Sequence, residues 1–284
     1  MLRIAVQSKG RLYDETMELL TEAGIKLTAV KRTLLVPSRN FPVELLFLRD
    51  DDIPDSVATG TADIGIVGLN EVLEKQQDVT IIKRLGFSKC RLSLAIPKET
   101  EYSGLQWFDG RKIATSYPRV LSDFLKEKGI TADIHVISGS VEIAPGIGLA
   151  DAIFDIVSSG GTLISNNLVE VETVLQSEAV LIGNGSKLSE DKQHALDELL
   201  FRIDAVKAAE SKKYILMNVP REKLDEVVGV LPGITSPTVM PLADHAWCSV
   251  HTVLEEKHFW EIINKLKGAG AVGILVLDIE KMVP

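Results

Sequence analysis

The chain has 284 residues, of which 45% are hydrophobic and 25% charged, an ordinary composition for a globular protein with two or three domains. Its net charge of −9 argues against general nucleic-acid binding, because that affinity depends on clustered lysine and arginine side chains. No apolar run approaches the roughly 20 residues of a membrane-spanning helix, and the N-terminus lacks the apolar core of a signal peptide. We therefore expect a soluble, cytoplasmic protein that binds neither nucleic acid nor membrane.

Strands and helices alternate from the N-terminus onward. Leu2–Gln7 is predicted to be a strand, and Tyr13–Ala23 has the spacing of an amphipathic helix. Val43–Leu48 and Asp63–Val67 are predicted to be further strands. The same strand–turn–helix pattern returns over residues 112–130. This alternation predicts an α/β fold with two related lobes.

Two apolar stretches, Leu92–Ile96 and Val174–Leu181, are placed to carry the chain into the second lobe and back. We expect residues 1–90 with 176–211 to form lobe I and residues 91–175 to form lobe II, with a ligand cleft between them. Residues 212–284 show the order strand, helix, strand, strand, helix, strand. That order, βαββαβ, predicts a separate ferredoxin-like domain.

The most informative stretch runs from a predicted buried strand, Ala152–Val157, into the turn Ser158-Ser159-Gly160-Gly161-Thr162. Glycines let backbone N–H groups approach an anion closely, and hydroxyls add further donors, so this turn suits a phosphate group. Three acids lie upstream, Glu142, Asp151 and Asp155, and the two aspartates share one face of the strand. They are candidates to hold sugar hydroxyls or a magnesium ion beside the anion.

A purely structural interpretation of this turn also stands. Junctions rich in Ser, Gly and Thr are common between strands and helices, and Thr162 is placed to cap a short helix through Ser165. The two familiar nucleotide motifs are missing: Gly146-Ile147-Gly148 is followed by Asp151 where GxGxxG has glycine, and no GxxxxGK[ST] occurs. The turn alone leaves both interpretations open.

Charged residues follow the predicted strand Val43–Leu48. Arg49 comes directly after this strand, where α/β folds place ligand contacts, although an ion pair with its acidic neighbours is an equal alternative. The run Asp50–Asp52 fits a solvated helix start better than a metal site, because adjacent side chains point in different directions. Arg49 is therefore kept as a candidate and the acidic run is not.

Cysteine and histidine residues give no metal or disulfide pattern. Cys90 and Cys248 lie in different predicted domains, so we expect two free thiols. His245, His251 and His258 do not have the spacing of a zinc site. Scattered surface histidines are the better interpretation.

Several motifs are spread along the whole chain. The most specific is the spacing of Glu142, Gly148, Asp155 and Ser159-Gly160-x-Thr162-Leu163. The others are Gln7 with Gly10–Leu12, Arg49 with Asp52–Pro54, Gly68 with Asn70, Cys90–Ala95, Ala114–Pro118, Ser236–Thr238 and Pro241–Ala243. With these motifs the chain resembles the long form of ATP phosphoribosyltransferase, the first enzyme of histidine biosynthesis. Ser159 and Gly161 depart from many members, which have Thr and Ala there.

The resemblance implies two periplasmic-binding-protein-like catalytic lobes, a C-terminal regulatory domain and a homo-oligomer, from dimer to hexamer. It also implies Mg²⁺-dependent transfer of the phosphoribosyl group from phosphoribosyl pyrophosphate to N1 of ATP. On that basis Ser158–Thr162 bind the 5′-phosphate, while Glu142, Asp151 and Asp155 are catalytic, with Asp155 also a metal ligand. The nucleotide-binding candidates are Lys9, Gly10, Arg11, Arg49, Asn70 and Tyr117.

The predicted C-terminal domain is not needed for catalysis. The resemblance implies that it binds L-histidine, the product of the pathway, as a feedback inhibitor. Asn218, Thr238 and Gly273 are candidate contacts for this effector. The alternative is a domain that only holds the oligomer together.

Two other classes of protein compete with an enzyme. A solute-binding protein would account for two lobes, but it needs an export signal and has no use for a third domain. A purely regulatory sensor would account for the fold, but it predicts loss of the acids and hydroxyls around the turn, and these are present. An assay for the N1-alkylated nucleotide distinguishes the enzyme from both alternatives.

Overall fold

The computed structural model describes residues 1–27, 33–231 and 236–283. It divides into two compact units, one of Met1–Glu18 with Ile25–Leu196, the other of Leu19–Gly24 with Asp197–Pro284. The described residues include the predicted segment Ser236-Pro237-Thr238, which directly follows the gap after residue 231.

The first unit begins with an alternation of strands and helices, in agreement with the sequence pattern. Its elements up to residue 84 are β1 Leu2–Gln7, α1 Arg11–Glu22, β2 Leu35–Pro37, β3 Val43–Leu48, α2 Ile53–Ala58, β4 Ile64–Gly68, α3 Leu69–Lys75 and β5 Thr80–Arg84. The next elements are β6 Cys90–Pro97, β7 Lys112–Thr115, α4 Pro118–Lys128, β8 Asp133–Val136, β9 Ala152–Val157, α5 Gly161–Ser165, β10 Leu168–Ser177 and β11 Ala179–Gly183. Helix α6, Glu190–Ala209, begins in this unit, and its residues from Asp197 onward belong to the second.

These strands form two sheets. The first has the order β2-β3-β1-β4-β11-β5, with β1 parallel to β3 and β4. The second has the order β10-β6-β9-β7-β8, with β7 parallel to β8 and β9. The chain passes from the first sheet to the second between β5 and β6, and returns between β10 and β11. Two such lobes joined by two crossings are the periplasmic-binding-protein-like arrangement.

Strand β9 is the central strand of the second sheet, and its side chains alternate between two apolar layers. Phe154 packs on one face with Leu121 of α4, while Ile153 and Val157 pack on the other face with Leu163 of α5. Since successive side chains point to opposite faces, Asp155 lies on the face that carries α5. Strand β9 thus places the carboxylate of Asp155 on the face of the sheet that α5 covers.

The second unit contains the predicted βαββαβ order. Its elements are β12 Lys212–Pro220, α7 Leu224–Val230, β13 Thr238–Pro241, β14 Trp247–Glu255, α8 Glu256–Gly268 and β15 Val272–Asp278. The antiparallel sheet has the order β13-β14-β12-β15, which is the ferredoxin-like topology. Alternate residues of β12, Ile215 and Met217, are buried with Phe259 and Leu266 of α8.

The stretch Val174–Leu181 carries the chain back to the first sheet, as expected: β10 ends at Ser177 in the second sheet and β11 begins at Ala179 in the first. One local prediction was wrong. Thr162 does not cap α5: the N-cap residue is Gly160, and no side chain caps this helix. In the described part of the chain, no helix has both the length and the apolar character needed to cross a bilayer.

Candidate active site

The turn after β9 contains a glycine in a left-handed conformation and borders a small cavity. Gly160 has φ of +84°, a left-handed conformation that glycine adopts without steric cost. The turn Ser158–Thr162 lines a cavity of about 140 Å³ together with Glu142 and Asp155. The structure therefore brings the predicted phosphate turn and two of the three predicted acids together.

Ser158, the first residue of this turn, is held by two arginines. Arg11 Nη1, at the start of α1, donates to the Ser158 hydroxyl oxygen at 2.6 Å, and Arg11 Nη2 donates to the Lys89 carbonyl at 2.9 Å. Arg91 Nη1 donates to the Ser158 carbonyl oxygen at 3.1 Å. Arg11 thus reaches from the first lobe to the turn of the second.

Asp155 is the acid closest in sequence to the turn. Burial, with a smaller contribution from the nearby charge of Glu142, raises the pKa of Asp155 to about 6. Glu142 lies in a 3₁₀ turn over Val141–Ile143 and borders the same cavity. Two carboxylates therefore border one small cavity beside the turn.

Asp151 is not part of this group. Its Oδ2 atom accepts a hydrogen bond from the Lys112 backbone N–H at 2.9 Å, at the start of β7. It lines a different cavity, with Trp107 and Arg111. At about 3.3 Å per residue, the four steps from Asp151 to Asp155 amount to roughly 13 Å along an extended chain. The sequence-based grouping of Asp151 with the turn is therefore corrected, because the two aspartates line different cavities.

A second cavity, of about 210 Å³, adjoins the first. Its lining includes Arg11 and Asn70, which are two of the predicted nucleotide residues, and Glu71 and Cys90. Ile156 lines both cavities, so the two spaces are neighbours on either side of one side chain. The predicted phosphate turn and two of the predicted nucleotide residues thus line adjoining cavities.

The other predicted nucleotide residues lie outside the lining of either cavity. Lys9 and Gly10 are exposed in the turn between β1 and α1. Arg49 is exposed, and its Nε donates to Asp51 Oδ1 at 3.1 Å, the ion pair that was its alternative interpretation. Tyr117 is buried, with its hydroxyl in a hydrogen-bonded network.

That network is buried where α3 meets the start of α4. The Tyr117 hydroxyl donates to Glu71 Oε1 at 2.9 Å, and Asn70 Nδ2 donates to the same oxygen at 3.1 Å. Ser177 Oγ donates to Asn70 Oδ1 at 2.8 Å. Gly68 is required here, since a Cβ at this position would lie 2.3 Å from Asn70 Oδ1.

Glu71 was not predicted from the sequence. Only 6% of it is exposed, and burial raises its pKa to about 7, while its hydrogen bond with Tyr117 acts in the opposite direction. Nothing in the sequence around a single glutamate on a short helix indicates that its side chain is buried and its pKa raised. The only available hint was its place directly after the Gly68-Leu69-Asn70 motif.

The effector candidates lie in the sheet of the second unit. A Cβ at Gly273 would lie 3.5 Å from Asn218 Nδ2, so these two residues are neighbours on β15 and β12. Thr238 is exposed on β13, which β14 separates from β12. The structure therefore brings Asn218 and Gly273 together and leaves Thr238 two strands away.

No three His, Cys, Asp or Glu side chains cluster as a metal site among the described residues. Magnesium does not require such a cluster, because it keeps several waters and binds through one or two carboxylates together with substrate phosphates. Asp155 and Glu142, beside the turn, fit that requirement. Cys90 and Cys248 are free thiols, as expected.

Comparison with known proteins decides the family. Residues 49–205 match the family model described as ATP phosphoribosyltransferase, and residues 209–281 match the one described as HisG, C-terminal domain. The chain belongs to the ATP phosphoribosyltransferase family. Its C-terminal domain corresponds to the long form.

The relatives are similar over their full length. The chain is 70% identical to the ATP phosphoribosyltransferase of Bacteroides fragilis over 283 residues, with 100% of both chains covered. It is 57% identical to that of Cytophaga hutchinsonii, with 100% of this chain and 99% of the relative covered. Of this chain, 72% aligns with 98% of a chain in the ATP phosphoribosyl transferase (HisG:HisZ) complex of Thermotoga maritima, at 28% identity and a TM-score of 0.61.

The family identifies an enzyme rather than a solute-binding protein or a sensor. It is a glycosyltransferase of histidine biosynthesis whose substrates, by the family's name, are ATP and a phosphoribosyl donor. Enzymes of this family need a divalent metal ion. The expectations of an α/β fold, of the long form and of a transferase are confirmed.

Proposed function

We propose that the enzyme joins N1 of the adenine of ATP to C1 of phosphoribosyl pyrophosphate, with release of pyrophosphate and with Mg²⁺ as the metal. The observation that supports this most directly is the pair of adjoining cavities in one cleft. One combines a hydroxyl- and glycine-rich turn with two carboxylates, and the other contains an arginine and buried amide and carboxyl groups.

The first cavity is assigned to the ribose 5-phosphate part of the donor. The backbone N–H groups and hydroxyls of Ser159–Thr162 are the donors for the phosphate, with the hydroxyl of Ser158 shared with Arg11. Asp155 and Glu142 hold the ribose hydroxyls or the hydrated metal. Mg²⁺ would offset the negative charge that develops on the departing pyrophosphate.

The second cavity is assigned to ATP. Arg11 and Asn70 line it directly, and Lys9, Gly10 and Arg49 follow the carboxyl ends of β1 and β3, which are neighbours in the first sheet. Ligands of open α/β sheets bind beyond those strand ends. Tyr117 acts through Asn70 and Glu71, to which its hydroxyl is bonded.

The chemistry requires orientation and charge more than proton transfer. Adenine N1 carries a free lone pair at neutral pH, so its attack on C1 needs no strong general base. As the bond from C1 to pyrophosphate breaks, the ribose gains positive charge, which the ionised Asp155 stabilises across the cavity. With a pKa of about 6, Asp155 is mostly ionised at neutral pH.

An assay with ATP, phosphoribosyl pyrophosphate and Mg²⁺ tests this function. The expected products are an N1-substituted nucleotide, followed by absorbance and identified by mass, and one equivalent of pyrophosphate. Omission of Mg²⁺ should abolish turnover, and Mg²⁺ should restore it. Pyrophosphate release without the substituted nucleotide, or no product at saturating substrates, would contradict the proposal.

We further propose that L-histidine inhibits the enzyme by binding the second unit, with Asn218, Thr238 and Gly273 as contacts, and that the chain forms a homo-oligomer, from dimer to hexamer. Support comes from the match of residues 209–281 to the family's C-terminal domain and from the adjacency of Asn218 and Gly273. The complex named for the Thermotoga maritima relative supports assembly.

Calorimetric titration with L-histidine, in the presence and absence of ATP, tests the regulatory proposal. If histidine weakens ATP binding by some factor, ATP must weaken histidine binding by the same factor. Asn218→Ala should weaken histidine binding and leave the uninhibited rate unchanged. Absence of saturable histidine binding to the full-length oligomer would end the proposal.

A further inference from the structure

The strongest unexplained feature beside the phosphate turn is a chain of hydrogen bonds that ends on its first residue. It begins at Glu170 of β10, passes through Arg91 of β6 and reaches Ser158 after β9. These three strands are consecutive neighbours in the second sheet. The predicted site residues did not include Arg91 or Glu170.

Glu170 is held in one position by several donors. Arg91 binds both carboxylate oxygens, with its Nε at 2.6 Å from Oε1. Ser93 Oγ donates to Oε1 at 2.7 Å and Thr173 Oγ1 donates to it at 3.0 Å. These hydrogen bonds, that of Arg91 above all, lower the pKa of Glu170 to about 2, so it stays ionised throughout the working pH range.

The paired carboxylate fixes the plane of the Arg91 guanidinium. Two of its nitrogens are bound to Glu170, and the third, Nη1, points at the Ser158 carbonyl oxygen at 3.1 Å. A planar fork of this kind loses less freedom for each bond it forms than a flexible ammonium does. Arg91 therefore holds the Ser158 carbonyl in a fixed direction.

The direction of that carbonyl determines the direction of the next amide. In a planar trans peptide, the carbonyl of Ser158 and the N–H of Ser159 point to opposite sides. When the carbonyl is turned to Arg91, the Ser159 N–H faces away from it. Ser159 lines the cavity assigned to the phosphate, and its hydroxyl accepts a hydrogen bond from the Gly161 N–H at 3.4 Å.

The contact does little for the stability of the fold. Ser158 is exposed, so water replaces Arg91 at its carbonyl when the arginine is removed. Arg91 and Glu170 are partly buried, with 30% and 23% of their side chains exposed, so the ion pair between them contributes to stability separately from the contact with Ser158. The effect of the contact falls mainly on the orientation of the turn.

We propose that Arg91, fixed by Glu170, is the positioning residue that orients the phosphate turn for the donor substrate. This rests on the assignment of the turn to phosphoribosyl pyrophosphate. Arg91 does not touch the substrate; it sets the direction of the first amide that does. Its loss therefore weakens donor binding without removing any ligand of the donor.

The test compares Arg91→Lys with wild type. Lysine keeps the positive charge but lacks the fork, so we expect the KM and the Kd for phosphoribosyl pyrophosphate to rise about tenfold, which corresponds to about 1.4 kcal/mol. We expect kcat and the KM for ATP to stay within about twofold of wild type, since the turn is not part of the nucleotide cavity. Glu170→Gln should also raise the KM and the Kd for phosphoribosyl pyrophosphate, by less than Arg91→Lys does, and should leave kcat and the KM for ATP nearly unchanged.

Glu178→Gln is the matched control, because Glu178 pairs with Arg84 at 2.9 Å and contacts no residue of the turn through that pair. It should leave both KM values unchanged. If Arg91→Lys binds the donor as wild type does, only charge matters and the positioning role is wrong. If both KM values and the melting temperature change together, the role is structural and the proposal is also wrong.

Direct calorimetric binding of phosphoribosyl pyrophosphate with Mg²⁺, without ATP, separates this inference from the proposed reaction. If wild type binds the donor but forms no substituted nucleotide, the reaction is wrong, while the Kd of Arg91→Lys still decides the positioning role. If wild type turns over and the variant's Kd and KM are unchanged, only the positioning role fails. If wild type does not bind the donor, both are overturned.

Discussion

Asp151 and Asp155 show that the role of a carboxylate depends on its surroundings more than on its type or spacing. Asp151 directly precedes β9, and Asp155 lies within it. Asp151 is exposed and accepts the Lys112 N–H, while Asp155 is half-buried next to the turn. Only Asp155 faces the cavity where charge develops in the proposed reaction.

Asp155→Asn should reduce kcat on the order of 100-fold, because it removes the negative charge that stabilises the ribose in the transition state. In wild type, kcat/KM for phosphoribosyl pyrophosphate should fall as the pH drops below about 6, where Asp155 takes up a proton. The variant should lack this acidic limb.

Asp151→Asn is the control for this prediction. It should keep both the rate and most of the stability, because asparagine retains a side-chain oxygen that accepts the Lys112 N–H. Rates and folded fractions are measured on the same samples by steady-state kinetics and circular dichroism. An Asp155→Asn enzyme that melts lower but keeps its rate per folded molecule would show that this residue is structural.

The raised pKa of Glu71 predicts how the free energy of unfolding depends on pH. Its folded-state pKa is raised from 4.5 to about 7, so between these values the folded chain binds more protons than the unfolded chain. Stability therefore falls as the pH rises from 4.5 to about 7, by about 3 kcal/mol at 1.36 kcal/mol per pKa unit.

Glu71→Gln should flatten this slope, because glutamine stays neutral and keeps an acceptor oxygen for the Tyr117 hydroxyl. Urea unfolding at pH 5 and pH 8 measures the difference. Asp78→Asn, at an exposed position, is the control and should follow wild type. A Glu71→Gln variant with the full wild-type slope would contradict the buried, proton-binding role.

At the scale of elements, three strands were predicted to the residue, while the ends of others, such as β4, differ by one or more residues. Leu2–Gln7, Val43–Leu48 and Ala152–Val157 have the predicted ends, because their apolar runs are bounded by polar turns. The break at Glu178 was not predicted, since its cause is the change of sheet between β10 and β11 and not a local turn signal.

The same reasoning covers the site. The turn Ser158–Thr162 and its two nearby acids follow from local sequence, because they are joined by one strand and one turn. The network of Glu71 with Tyr117, and the contact of Arg91 with Ser158, join segments far apart in the chain. One sequence carries no signal for such contacts, because they depend on how the sheets and helices pack.

The turn after β9 depends on the backbone conformation of one glycine. Gly160→Ala should cost roughly 1–2 kcal/mol and raise the KM for phosphoribosyl pyrophosphate, because Gly160 has φ of +84°. Gly161→Ala is the matched control: a Cβ there would lie 3.6 Å from Ser159 Oγ, an ordinary contact. Thermal unfolding and donor kinetics measure both variants. Equal effects of the two substitutions would contradict the conformational argument.

At the scale of the first unit, helix α3 of one lobe holds the start of α4 in the other. The carboxylate of Glu74 accepts the backbone N–H groups of Arg119 at 3.1 Å and Val120 at 3.0 Å. One helical turn earlier, Glu71 accepts from Tyr117, the residue before α4. Both contacts join the same two elements, so each depends on the docking that the other provides.

This arrangement predicts that Glu74→Ala and Tyr117→Phe are not additive. Glu74→Ala should cost about 1 kcal/mol, as for loss of a helix cap. After either change the two helices are less firmly docked, so the second change should cost less, with a coupling of at least about 0.5 kcal/mol. Urea unfolding of the two single variants and the double variant measures it.

The control cycle pairs Glu74→Ala with Glu44→Gln, which affects the ion pair with Arg3 in the first lobe and shares no partner with α4. That cycle should be additive within about 0.3–0.5 kcal/mol. The KM values for ATP and phosphoribosyl pyrophosphate should rise together in the double variant, since the two proposed substrate cavities lie in the cleft that these helices hold. Additive stabilities, with both KM values unchanged, would mean that the α3–α4 contact neither couples the lobes nor shapes the site.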